Sequence, residues 1–130
     1  MCLYLLKRTQ KQNMSCVYKC LIAKLKLKKV KPEKFMQMIK KYNKHTGDIL
    51  WNGEELTKTQ LQENYERIRC IKDYNNGYDC SACDPLLLLV CQLYDTSIEH
   101  NFNGTEIKYT NKKFPGKIIY IDSNKNHMFN

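Results

Sequence analysis

An α+β domain is the fold class the sequence predicts, and two observations predict it. Apolar residues recur at helical spacing before about residue 96, and beyond that point the pattern changes to short β segments separated by turn signals. A third observation fixes the domain count: no internal repeat, low-complexity tract or Pro/Gly/Ser linker interrupts the 130 residues, so one domain spanning 1–130 is expected.

From Cys16 to about Leu27, Val17, Cys20, Leu21 and Leu25 stand three to four apart, predicting a helix with one buried face and Ser15 as its N-cap. Pro32 suits the first position of a second helix, with Phe35, Met38, Ile39 and Tyr42 on one face and Gly47-Asp48 marking the exit. Thr57-Lys58-Thr59-Gln60 has the form of a capping box, and Leu61, Tyr65 and Ile68 share a face of the helix it opens. Asp84-Pro85 reads as N-cap and first residue of a helix through Tyr94, whose Leu86-Leu87-Leu88-Leu89-Val90 run predicts burial on most sides. Segments near 97–101, 106–109 and 117–122 follow, separated by Asn103-Gly104 and Pro115-Gly116. Helices first and a small C-terminal antiparallel sheet last are therefore expected, the sheet leading into His127.

Hydrophobic residues make up 42% and charged residues 27%, an ordinary globular balance that argues against disorder. The longest apolar run meets Gln92 and Asp95 well short of the ~18 residues a membrane span needs, so a soluble chain is expected. Met1 to Leu6 lacks the basic start and cleavage site of an export signal. Seven cysteines, an odd number at irregular spacing, fit reduced thiols in a cytosolic setting better than a disulfide framework. The formal charge of +9 is concentrated between Lys24 and Lys41. That run lacks the aromatic and Arg interleaving that stacks bases, so it reads first as a solvated face; acidic proteins and RNA are the alternative partners.

Cys16 stands at the start of the first helix, where orphan N–H groups and the macrodipole favour a thiolate. Such a thiolate needs an imidazole to pair with and to protonate the leaving amine, and His127, between two β segments, is the best-placed candidate. His45, in a Lys-rich loop, and His100, in a β segment, read as solvated and structural respectively.

Here the residues acquire a resemblance. The pattern Asn13-x-x-Cys16-x-Tyr18-x-x-Leu21 resembles the ovarian tumour (OTU) protease box Asp-Gly-Asn-Cys-Leu-Phe-x-x-Leu, with Asn13 where that family has Asp. Asn126-His127-x-Phe129 is similar to the family's Asn-His-Tyr ending, and the order of parts matches: nucleophile helix, helical middle, Leu-rich helix, hairpin, His. The short length resembles the compact papain-like proteases of nidoviruses, the arteriviruses and toroviruses.

The resemblance implies a papain-like/OTU-like thiol protease without cofactor, monomeric as an isolated domain. It would cleave after Gly-Gly-like sequences in a viral polyprotein and at the C-terminus of ubiquitin or a ubiquitin-like modifier, suppressing host innate immunity. Its place would be the host cell cytoplasm, within or released from that polyprotein. Cys16 would be the nucleophile and His127 the general base, with the Cys16 amide and Asn13 holding the oxyanion and Gln10, at the papain-like interval, as second choice. The pattern departs at the orienting residue: the position two after the His is Phe129, which leaves Asn130 or Asp122 for that role. A glycine-specific channel would be lined by Tyr18, Trp51 and Phe129, with 51–55 as a loop whose Glu54 and Glu55 pair with arginines of the modifier's tail.

Two other readings use different residues. The lysines at 24–41 would suit a non-enzymatic RNA- or protein-binding module, and Cys80-x-x-Cys83 with Cys70 and Cys91 a small zinc-binding domain. Cys91 falls inside the Leu-rich helix, where converging thiolates would deform it, so no metal is assigned.

Overall fold

The computed structural model describes residues 14–27, 31–44, 46–71, 80–124 and 128–129, with only the backbone of 14–16. Among these residues the chain forms α1 (Met14–Leu25), α2 (Pro32–Lys41), β1 (Ile49–Trp51), α3 (Lys58–Arg69), α4 (Pro85–Leu93), β2 (Ser97–Phe102), β3 (Thr105–Asn111), β4 (Ile118–Ser123) and β5 (Met128–Phe129). The architecture is α+β, as the patterning predicts.

In α1 the stripe Val17, Tyr18, Cys20, Leu21 and Ile22 is buried. The helix ends in a Schellman turn with no glycine: Lys26 takes φ 55°, its N–H donates to the Ala23 carbonyl at 3.3 Å, and Leu27 N–H donates to Ile22 at 3.1 Å. Ser15 is the second residue of α1 rather than its N-cap, since the helix begins one residue earlier. Pro32 opens α2 as expected, where a missing N–H costs nothing, but the helix closes at Lys41, well before Gly47. The expected capping box is formed at α3: Gln60 N–H donates to Thr57 Oγ1 at 3.1 Å and Thr57 N–H to Gln60 Oε1 at 2.8 Å. Asp84 caps α4, Oδ1 accepting from Leu86 and Leu87 N–H at 3.0 and 3.2 Å, and every residue from Pro85 to Cys91 is buried.

The sheet has the order β1-β3-β2-β4-β5 and is mixed. An all-antiparallel sheet was the expectation; instead β4 leaves the Pro115-Gly116 turn and pairs parallel with β2, His100 beside Ile121, while the other pairs are antiparallel. The expected 51–55 loop is a hairpin turn that leaves the end of β1 at Trp51. Trp51 and Glu54 close a two-residue hairpin turn through N–H···O bonds of 2.8 and 3.0 Å, with Asn52 at φ 50° and Gly53 at φ 83°, a conformation that glycine adopts without strain.

One face of the sheet carries Ile98, His100, Ile107, Tyr109, Ile121, Ser123 and Met128, all buried. Against it lie α4, over β1, β2 and β3, and α1, over β4 and β5; α2 packs on α1 and α3 on α4. On the other face Lys108, Tyr120, Asp122 and Phe129 are exposed. Among the described residues no helix is long and apolar enough to cross a membrane.

Candidate active site

Cys16 is the third residue of α1, within the first turn whose N–H groups have no intrahelical partner. One turn later the buried Cys20 Sγ donates to the Phe129 carbonyl of β5 at 3.5 Å, so the helix bearing Cys16 is seated on the last strand. That strand pairs antiparallel with β4, Asp122 opposite Phe129 and Ser123 opposite Met128. The first helix and the last strand, far apart in sequence, thus meet at one edge of the sheet.

His127, Asn13, Asn130, Gln10 and His45 lie outside the described residues. Asp122 is exposed, on the sheet face that α1 does not cover, as is Phe129 at 44% exposure. Tyr18 is not on a channel wall: it is 7% exposed and meets the Phe35 ring edge-on, centroids 5.6 Å apart, between α1 and α2. The apolar stripe that made it a candidate aromatic also makes it core.

Trp51, Glu54 and Glu55 sit at the other end of the sheet. Four interstrand spacings separate β1 from β5, roughly 19 Å, so they do not line a channel together with Phe129. The Trp51 indole N–H instead donates to the Ala82 carbonyl at 2.9 Å, and Glu55 pairs with Lys112 at 3.2 Å. These residues were expected in one loop; Trp51 is instead the last residue of β1, paired with Tyr109 of β3, and Glu54 closes the turn that follows it.

The cysteines of the zinc reading do not converge. Among the described residues no group of three His, Cys, Asp or Glu side chains is placed to hold a metal ion. Cys80 and Cys91 are buried, and desolvation pushes the thiols of Cys91 and half-buried Cys83 up, keeping both protonated. The Asn64 amide, donating to Cys83 Sγ at 3.8 Å, offsets that only in part.

Two polar clusters carried little sequence signal. His100 Nε2 lies 2.6 Å from Ser123 Oγ in the core, and burial holds its pKa below the ordinary value against the opposing pull of Asp84 and Asp122. The Tyr109 hydroxyl accepts from Asp84 N–H at 2.9 Å and donates to the Ala82 carbonyl at 3.0 Å, anchoring the turn before α4. Both clusters join neighbouring strands or a strand and a turn, and only the sheet register reveals them.

No protein-family model matches the chain, and comparison with curated proteins and with solved structures finds no significant match.

Proposed function

We propose that the chain is a papain-like cysteine protease of OTU type, with Cys16 as nucleophile and His127 as general base. One observation carries the reading: α1, with Cys16 in its first turn, packs on β5 through the Cys20–Phe129 contact. Cys16 is one turn, about 6 Å along the axis, from Cys20. His127 is two residues, at most about 7 Å of chain, from Phe129. A thiol at a helix start and a histidine that stands, in the chain, one residue before the strand on which that helix rests are the two parts such a dyad needs.

In this mechanism the thiolate attacks the scissile carbonyl, and the tetrahedral oxyanion is held by the Cys16 amide and Asn13. The His127 imidazolium gives its proton to the leaving amine as a thioester forms. Water, deprotonated by His127, then attacks the thioester and releases the acid and the free thiol. Asn130 would orient the imidazole, since Asp122 lies on the sheet face that α1 does not cover. The substrates proposed are Gly-Gly-ending tails of ubiquitin or a ubiquitin-like modifier, and matching junctions in a viral polyprotein, in the host cell cytoplasm.

The test is labelling by a ubiquitin bearing a C-terminal electrophile, with hydrolysis of ubiquitin-amidocoumarin measured in parallel. Adduct on Cys16, abolished in Cys16→Ala and slowed in His127→Ala, is expected. Hydrolysis by Cys16→Ala within about tenfold of the native rate would remove the nucleophile assignment. Asn13→Ala is expected to lower kcat by roughly 10²–10³ with KM little changed.

A further inference from the structure

An apolar groove of about 570 Å³ lies away from the α1–β5 edge. Ile22 and Leu27, the two residues joined by the Schellman turn, form one wall; Phe35 and Met38 of α2 and Tyr42, its C-cap, form the other, with Tyr94 after the end of α4 also lining it. Its surroundings are basic. Lys34 and Lys41 stand on its rim, and Lys24, Lys26 and Lys31 are exposed nearby on the same two helices and their ends. From Met14 to Lys44 the sequence holds ten lysines and a single acid, Glu33. Among the described residues none of these five lysines is in an ion pair, while Lys41 Nζ sits 5.4 Å from the Tyr42 ring centre.

We infer that this groove docks an acidic amphipathic segment of another protein, whose apolar side chains enter between α1 and α2 while its Asp and Glu residues meet the lysine rim. Charge complementarity selects the partner, since cations clustered without partners on a like-charged surface repel one another until acids arrive. Shape and chemistry narrow the choice. A concave apolar floor accepts projecting side chains at helical spacing, the groove-docking mode of recognition. It offers nucleobases neither guanidinium planes nor a ladder of polar groups, and a bilayer surface has nothing to fill a recess. The inference is independent of the thiol chemistry proposed above.

The experiment uses the full chain and a fluorescein-labelled peptide of about twelve residues, with Leu and Phe at helical spacing and Glu elsewhere, followed by anisotropy. Saturable binding is expected, weakened about tenfold or more by Lys34→Glu/Lys41→Glu and by Tyr42→Asp, each checked for native circular dichroism. Higher salt should weaken it further, without abolishing it, because the apolar part of the contact is unscreened. An all-Glu peptide binding equally well would overturn the groove and leave only a charged surface. So would tighter binding to single-stranded RNA or to phosphatidylglycerol vesicles, or self-association of the chain blocked by Tyr42→Asp. Unchanged affinity in both variants would overturn it as well.

Discussion

His100 is fully buried, its Nε2 bonded to Ser123 and its Nδ1 without a hydrogen-bond partner among the described residues. The ring also lies against Tyr109 and Phe102, so a charge on it would have little solvation. Its folded-state pKa is lowered, and the unfolded chain therefore binds the proton more readily. The stability this neutral imidazole contributes is present above its ordinary value near ~6.5 and is lost as pH falls from there through the folded-state pKa. Urea midpoints are expected to drop between pH 7 and pH 5 and to drop less in His100→Gln; equal slopes in the two proteins would refute the assignment. Tyr109→Phe tests the neighbouring cluster: it strands the buried Asp84 N–H and leaves the Ala82 carbonyl with the Trp51 indole as donor, and should cost about 1–3 kcal/mol by denaturation. From sequence, His100 could be read as structural because it sat in a β segment. Its bond to Ser123 could not, because that pairing depends on a parallel register between strands twenty-one residues apart.

Among the helices, local chemistry was legible at the starts of α2, α3 and α4, while at α1 the expected Ser15 cap falls inside the helix. The Thr57/Gln60 box and Asp84 satisfy backbone N–H groups two or three residues away, and Pro32 and Pro85 stand where a helix has no use for the N–H they lack, so neighbours alone specify them. Thr57→Ala should lower stability by about 1 kcal/mol, read as a shift in thermal midpoint. The end of α1 was harder to see because the left-handed position is filled by Lys26 rather than glycine. A lysine there carries roughly 1 kcal/mol of strain, so Lys26→Gly is expected to stabilise the protein by about that amount. Strands were legible as segments and not as partners. Alternation located β2, β3 and β4 within a residue or two, but spacing along the chain cannot say that β4 skips β3 to lie beside β2, and three-residue β1 is too short to alternate visibly.

Across the molecule, the helices cover one face of the sheet, and the order of strands decides which candidate residues meet. It brings α1 to β5 and sends Trp51 to the opposite edge. Candidate residues could be chosen from helix starts and turn positions. Their company could not, because it follows from a register set by the whole core. Met128 is 2% exposed on the short edge strand that receives α1. Met128→Ala should cost about 2–5 kcal/mol and raise the accessibility of Cys20 to thiol reagents, whereas the exposed Phe129→Ala should cost much less.

The seating of α1 on β5 also sets a clock. During synthesis α1 leaves the ribosome more than a hundred residues before the strand it rests on, about 5 to 20 s at ordinary elongation rates. Through that interval the buried stripe of Val17, Cys20 and Leu21 has no β5 to lie against, and a nascent chain stopped short of Met128 leaves that side of the helix uncovered. The chemistry proposed for Cys16 and His127 would need both elements, so on that reading the order of translation would hold the thiol inactive until the last strand has emerged.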